Sequence, residues 1–319
     1  MSNENLHAAK RAKNDEFYTR YADIEAECRH YAPYFKGKTI FCPCDDAVWS
    51  QFAAYFARNF QVLGLKRLIC SCFYEPQGDL FTPADPKKRG YWTCYDGSTP
   101  ADKWLNNPPK NYFKGYHGGD FRSAEVTELL KQSDFVVTNP PFSLFTDFFF
   151  WLIDSGKKFL VMFPQTSIFN RRIFPYFLKR EVVLGKSIRT HGRWFRVPDF
   201  IPLLHPHHSR QKNGVKECEV DSARWATNIK IHGQRENFLE LTEKYTPERY
   251  PKFDNLDVIN VDKKGEIPKD YFEIMAVPTC FINYWAPEQF HLLGIAGQKE
   301  TLKINGKPKY MRLLIQRVT

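Results

Sequence analysis

The string Asp134-Phe-Val-Val-Thr-Asn-Pro-Pro-Phe142 holds the residue types best placed to do chemistry. Asp134 to Thr138 reads as a buried strand that runs straight into Asn139-Pro140-Pro141-Phe142, with Ser143 placed to cap the helix that follows. In an open α/β sheet, ligands bind outside the carboxyl ends of the strands, so these four residues are delivered to the functional edge. Two consecutive prolines stiffen the backbone and withhold two N–H donors, leaving the Pro140 carbonyl and the Asn139 side-chain oxygen as rigid acceptors. Such a pair suits a planar amine, for instance the exocyclic amine of adenine. That nitrogen is a poor nucleophile because its lone pair is delocalised into the ring. Two acceptors drawing on its hydrogens shift it toward tetrahedral geometry and free the lone pair for in-line attack. Asn139 cannot serve as a base, and none is required. Phe142 is expected to stack on the base, a contact worth about 1–3 kcal/mol. The bland alternative is a proline-rich turn followed by an ordinary helix cap.

The elements that must position this string follow an alternating pattern. Tyr21, Ile24, Cys28, Tyr31 and Phe35 recur at helical spacing, and Gly37 follows as a stop signal. Lys38 to Cys44 reads as a buried strand. Asp45 and Asp46 then open a helix whose apolar face is Val48, Phe52, Phe56 and Phe60, and Arg67 to Tyr74 is a second strand. Glu75 to Gly119 is rich in Pro, Gly and polar residues and reads as an irregular excursion with one short strand at Tyr91–Tyr95. The alternation resumes with a helix over Ser123 to Gln132, the strand at Asp134, a helix over Ser143 to Ile153 and a strand over Lys158 to Phe163. Strand-and-helix alternation predicts a doubly wound, mostly parallel α/β sheet with right-handed crossovers. That domain is expected over residues 1–185, residues 1–13 forming a loose basic arm, with a less regular region over 186–319, part of which could pack back on the sheet.

The chain has 319 residues, enough for a substantial core, and its hydrophobic fraction of 43% excludes wholesale disorder. No apolar run is long enough for a membrane span, and the first residues lack an apolar leader, so a cytoplasmic protein is expected. The formal net charge is +10, and most of the excess lies in one stretch: Thr166 to Glu217 carries eleven Lys or Arg against three acids. A solvated face normally carries balancing acids, so the stretch reads as a binding surface for phosphate. Within it Arg171, Arg172, Arg189, Arg193, Arg196 and Lys212 are candidates to meet nucleic acid, without a way to separate base readers from phosphate contacts. The pairs Cys42/Cys44 and Cys70/Cys72 share strand faces, yet their spacing is not that of zinc sites, and they read as core thiols. His205-Pro-His-His208 likewise reads as a polar loop, so no metal is expected.

Asn-Pro-Pro-Phe at the end of a strand is similar to the catalytic motif of amino-methyltransferases that depend on S-adenosylmethionine, and the wider string resembles the EcoRI-type adenine-specific DNA methyltransferases. Asp15-Glu-Phe-Tyr-Thr19, Cys44-Asp-Asp46, Gly119-Asp-Phe-Arg-Ser123, Val136 to Phe145 and Lys157-Lys-Phe-Leu160 match that family in order. Tyr250 to Asn255, Asp257 to Val261, Pro287 to Phe290 and Ile304 to Lys307 continue the match. The resemblance implies the methyltransferase sheet, S-adenosyl-L-methionine as cofactor, duplex DNA as partner, an extruded target base, and a monomer with no obligatory protein partner. By the same resemblance Phe17, Tyr18 and Thr19 lie against the methionine part of the cofactor. Cys44-Asp45-Asp46 stands where most methyltransferases carry glycines. Asp45 or Asp46 could accept from the cofactor ammonium, or cap the following helix. Glu75, just past the second strand, could take the ribose hydroxyls or be a surface acid. Asp120 and Phe121 resemble the pair that meets the cofactor adenine. Two rivals keep the scaffold but change the activity: methylation of RNA adenine or of a protein glutamine, and a non-catalytic DNA-binding protein.

Overall fold

The computed structural model describes residues 18–74, 89–114, 118–187, 193–197, 209–212, 214–220, 222–231 and 238–318. The expectations for the arm at 1–13, Phe17, Glu75, Arg189, the side chain of Arg193, and His205, His207 and His208 lie outside the described residues. The chain forms two compact units, Met1–Ile173 with Val182–Ile231, and Phe174–Glu181 with His232–Thr319. The expected division at residue 185 does not coincide with this one. The cause is a strand from the later region, Ala223–Thr227, that joins the main sheet.

In the first unit the strands are β1 (Thr39–Cys42), β2 (Arg67–Cys72), β3 (Tyr91–Tyr95), β4 (Asn111–Tyr112), β5 (Phe135–Thr138), β6 (Lys158–Pro164), β7 (Val183–Leu184), β8 (Arg193–Arg196), β9 (Ser209–Lys212), β10 (Val215–Val220) and β11 (Ala223–Thr227). Eight of them form one sheet in the order β4-β3-β2-β1-β5-β6-β11-β7. The four in the middle, β2, β1, β5 and β6, are mutually parallel. The flanks run antiparallel, so the sheet is mixed. The order changes direction at β1, whose neighbours β2 and β5 lead outward on either side, and the ends of β1 and β5 flank a crevice there.

The longer helices of the unit are α1 (Tyr21–Cys28), α2 (Gln51–Arg58), α3 (Ala101–Asn106), α4 (Ala124–Lys131) and α5 (Phe145–Ser155). Alternate strand residues divide between two layers, as a period of two requires. Ile40, Cys42, Phe135, Val137, Leu160 and Met162 join the cluster built with α1 and α2. Phe35 sits at its centre, 5.5 Å from Phe56 and 5.6 Å from Phe135 between ring centroids. On the opposite face Phe163 meets Phe145 of α5 at 5.4 Å, so helices cover both sides of the sheet.

Several local expectations need correction. Asp45 and Asp46 do not open a helix. α2 starts at Gln51, and Ser50 caps it by accepting from the backbone N–H groups of Phe52 at 3.0 Å and Ala53 at 3.3 Å. Val48 therefore lies outside the helix and is exposed, while Phe52, Phe56 and Phe60 are buried. Ser143 is not the cap of α5, because Phe142–Leu144 first makes a 3₁₀ turn and Leu144 takes the cap position. The excursion before Gly119 contains two antiparallel strands and α3, where one strand was expected.

Two matched strings prove to be struts. Lys157 donates from Nζ to the carbonyls of Lys131 at 3.0 Å and Ser133 at 2.6 Å, closing the open end of α4. In the second unit a sheet of order β12-β13-β14-β18-β15 contains Lys252–Phe253, Leu256–Asn260, Met275–Pro278, Arg312–Arg317 and Phe290–Ala296 in that order. Beside it β16 (Leu302–Ile304) and β17 (Lys307–Lys309) form a hairpin. Its turn residues, Asn305 at φ 49° and Gly306 at φ 74°, donate their N–H groups to the Asp254 carboxylate at 2.9 and 2.8 Å.

Candidate active site

Residues at the carboxyl ends of β1, β2 and β5 line a cavity of about 430 Å³, within the range of roughly 300–1,000 Å³ common for small-molecule sites. It brings together Tyr18, Thr19, Cys44, Asp45, Asp46, Asp120, Phe121, Asn139, Pro140 and Pro141, which sequence reasoning had selected from four separate segments. Phe142 is the exception. It is 4% exposed, belongs to the core cluster with Phe52, Phe195 and Trp225, and does not line the cavity. The 3₁₀ turn after Pro141 carries its ring inward, so the expected stacking on a base is not the arrangement here.

Asp45 sits on the loop after β1, only 7% exposed. Its Oδ1 accepts from Ser50 Oγ at 2.5 Å and its Oδ2 from Thr138 Oγ1 at 2.6 Å, while its own N–H donates to the Ser71 carbonyl at 2.9 Å. Burial pushes its carboxyl up to about 6, and the two hydroxyls hold it from rising further. The carboxylate thus joins the cap of α2 to the residue immediately before Asn139, and the Asp45 backbone ties both to the end of β2. The turn bearing Asn139 is fixed to the turn bearing Asp46 by a buried, charge-assisted bond.

Asp46 is half-buried and points to other partners. The phenols of Tyr74 and Tyr91 both donate to it, the latter at 2.8 Å, and the Val48 N–H donates at 2.8 Å. Burial and the Asp46 charge together raise both phenols, which stay protonated as donors. Asp120 is clamped by its neighbour. Arg122 donates from Nε to Oδ1 at 2.9 Å, from Nη2 to Oδ2 at 2.7 Å, and from its backbone to Oδ1 at 2.8 Å. Beneath them Phe121 packs edge-on against Phe148 at 5.1 Å and Trp151 at 5.6 Å, tying this wall of the cavity to α5. Thr19 is buried, and its hydroxyl has no hydrogen-bond partner among the described residues.

The wall needs glycine. Gly119 has φ +100°, and a Cβ there would stand 2.3 Å from the Cys72 carbonyl oxygen and 3.1 Å from the Phe73 Cα. Gly119→Ala is accordingly expected to cost about 2 kcal/mol or more of stability, through a strained φ and a backbone collision together. Thermal or urea unfolding checks it, and an unchanged midpoint would show that the turn can shift.

Thr138, Ser50, Tyr74, Tyr91, Arg122 and Trp49 were not foreseen. Thr138 could have been found, since a hydroxyl closing an otherwise apolar strand marks a buried partner. Trp49, 65% exposed at the cavity, lies within the stretch expected to be helical but off its apolar face, so nothing singled it out. Cys42 and Cys70 are neighbours in register on β1 and β2, and burial pushes the thiols of Cys42, Cys44 and Cys72 well above the ordinary range. No group of His, Cys, Asp and Glu suited to a metal occurs among the described residues.

The basic candidates that can be placed, Arg171, Arg172, Arg196 and Lys212, are all exposed on the first unit. Arg172 lies over the Phe150 ring at 4.1 Å. Arg196 has a second tie, because its backbone exchanges hydrogen bonds with Tyr18 at 3.0 and 3.1 Å. The strand carrying it thereby abuts the cavity wall at Tyr18.

A family model described as adenine-specific methyltransferase EcoRI matches residues 5–318. The chain belongs to that family. It is 39% identical to the Type II methyltransferase M.EcoRI of Escherichia coli, over 99% of this chain and 97% of the relative. It is 35% identical to the Type II methyltransferase M.MpnI of Mycoplasma pneumoniae, over 97% of this chain and 96% of that one. The Type II methyltransferase M.MgeORF184P of Mycoplasma genitalium is also 35% identical, over 97% of each chain. No solved structure matches the chain. Membership makes it an adenine-specific DNA methyltransferase, and no helix among the described residues is long and apolar enough to cross a membrane.

Proposed function

We propose that the protein transfers a methyl group from S-adenosyl-L-methionine to the exocyclic amine of an adenine in double-stranded DNA, after that base has left the helix. The observation that carries this reading is the convergence of the Asn-Pro-Pro turn and an acidic cavity on one sheet edge. An amine paired and stacked inside a duplex cannot approach groups at strand ends, so the nucleotide has to swing out.

The cavity suits the cofactor on charge. Among the described residues Asp45, Asp46 and Asp120 line it against the single guanidinium of Arg122, which favours a ligand that is a net cation. The Thr19 hydroxyl, without a hydrogen-bond partner among the described residues, offers a further contact for its polar end. Tyr18, Thr19, Cys44, Asp45, Asp46, Asp120, Phe121 and Asn139 would hold it, joined by Phe17 and Glu75 in the same reading. When bound, it supplies an electrophilic methyl carbon and leaves as a neutral thioether.

The chain's own part is electrostatic and geometric. Asn139 Oδ1 and the Pro140 carbonyl accept the two amine hydrogens and localise the nitrogen lone pair. Pro140 and Pro141 keep those acceptors from turning away. The bond from Thr138 to Asp45 holds the turn in register with the cofactor side of the cavity. Once alkylated, the nitrogen is acidic enough to release its proton to water. The basic residues Arg171, Arg172, Arg189, Arg193, Arg196 and Lys212 take the phosphates, and target recognition falls to the region after residue 185. The sheet is then the methyltransferase sheet, working as a monomer without an obligatory protein partner.

The test supplies the purified protein with labelled cofactor and offers duplex DNA, RNA and protein in parallel, with sequencing of DNA from expressing cells for N6-methyladenine. Methyl acceptance by duplex DNA at one sequence is expected. Acceptance by RNA or protein alone, or no cofactor binding by calorimetry, would reject the proposal.

A further inference from the structure

The three strands β8, β10 and β9, in that spatial order, form a small antiparallel sheet in the first unit with two unlike faces. The register places Glu219 opposite Trp194, Glu217 opposite both Arg196 and Arg210, and Val215 opposite Lys212. Alternation puts this set on one face. The other face carries Phe195, Cys218, Val220 and Ser209, all buried, and the three apolar ones join the main core cluster. The sheet is thus pinned by its inner face and presents Arg196, Arg210 and Lys212 with an indole and two carboxylates on its outer one.

Arg210 is held there in an uncommon way. Its guanidinium stacks 3.9 Å from the Trp194 ring centroid, across the central strand. Its Nε donates to Glu217 Oε2 at 2.7 Å, and Nη2 stands 2.7 Å from the same oxygen. The Glu217 side chain is 12% exposed and that of Arg210 38%. A surface arginine that only meets phosphates gains from being free to follow them, whereas this one is fixed on two sides. With Nε and the inner N–H of Nη2 engaged, the end of the fork, Nη1 with the remaining Nη2 hydrogen, stays available. That is the bidentate donor pair that matches O6 and N7 of guanine in the major groove. That groove admits a two-stranded β-ribbon, and β-sheets read DNA by laying strands into a groove. Stacking and buttressing lower the entropy that an arginine loses when it docks.

We propose that Arg210, held by Trp194 and Glu217, reads a guanine in the target sequence, with the outer face of this sheet set in the major groove. This rests on the DNA-methyltransferase reading of the chain. The neighbouring cations Arg196 and Lys212 supply phosphate contacts at the rim, and Glu217 acts as a positioning residue that orients the fork.

The experiment uses the full-length protein and a duplex library in which every position around the acceptor adenine is varied, scored both by competitive binding and by methylation. For the wild type, replacing one particular G·C pair is expected to cost roughly 5- to 150-fold. In Arg210→Ala and Arg210→Lys that penalty should fall to about threefold or less while the other positions keep theirs. The lysine variant retains the charge but lacks the fork. Glu217→Gln should relax the same position in part and no other. An equal loss on every sequence, or an unchanged ranking, would make Arg210 a phosphate contact or a structural residue and overturn the proposal. Failure of the wild type to accept methyl groups on any duplex would instead reject the underlying function, so the two failures are told apart. Binding scores carry the result for any variant too slow to methylate, and the thermal midpoint confirms that each variant is folded.

Discussion

Replacing Asn139 by alanine is expected to lower methyl transfer by at least about 10²–10³-fold, the scale seen when one preorganised electrostatic group is removed from a reacting centre. Asn139 follows the last residue of β5 and lines the cavity, and the stiff Pro140-Pro141 pair comes next. Alanine leaves that backbone in place and removes only the oxygen that draws on the amine. Cofactor and DNA affinity should fall by less than about tenfold, because Asn139 is one of several cofactor contacts and the three cavity carboxylates and the basic surface remain. Single-turnover methylation with saturating DNA reads the chemical step, while calorimetry and gel shift read the two affinities. Asn139→Asp discriminates further. A carboxylate accepts at least as well but adds charge beside Asp45, so partial activity with a higher pH optimum is expected, whereas alanine stays inactive across the range. Full activity of the alanine variant would remove Asn139 from the chemistry.

How much of this was legible beforehand follows from which residues speak through local pattern. The central strands announced themselves because Thr39–Cys42, Phe135–Thr138 and most of Lys158–Pro164 are near-continuous apolar runs, broken only by a terminal threonine in the first two, as strands buried on both faces are. The Asn-Pro-Pro turn was legible because so few residue strings end a strand in rigid acceptors. The outer sheet at Arg193–Val220 was not. Its strands alternate charge with bulk, and that pattern reads equally as a charged loop until register pairs Glu217 with Arg210 and Arg196. The clamp on Asp120 was hidden for another reason. Two residues apart, Arg122 could equally have pointed to solvent, and only the turn after Gly119 brings it back. Phe142 was expected in an open turn ahead of a helix at Ser143, whereas a 3₁₀ turn already begins at Phe142 and its ring is buried.

The buried Asp45 carries a second large effect, on stability rather than rate. Its carboxyl is raised from an ordinary value of 3.8 to about 6, chiefly by burial. Between those two values the folded protein holds a proton that the unfolded chain has lost, so stability falls as pH rises through that window and the deficit is complete above about 7. A shift of this size corresponds to roughly 3 kcal/mol. Asp45→Asn cannot ionise. The difference in unfolding free energy, variant minus wild type, should therefore climb by roughly 2 kcal/mol between pH 4 and pH 8, the rest having been lost below pH 4, whatever the cost of the substitution itself. Thr138→Val moves the other way. It removes the hydroxyl that helps hold Asp45 down, leaving a buried carboxylate oxygen short of a donor, which costs about 1–3 kcal/mol. That cost should be greatest at pH 8, where the group is charged, and smaller at pH 4.5, where it is protonated. Urea unfolding of the three proteins across pH measures both slopes. Parallel curves for wild type and Asp45→Asn would mean that Asp45 ionises as an ordinary surface carboxylate. The bond from Thr138 would then be too weak to set the position of Asn139. Because Thr138 immediately precedes Asn139, Thr138→Val should also lower turnover while Thr138→Ser preserves it, so one hydroxyl links the pH profile of stability to the rate of methyl transfer.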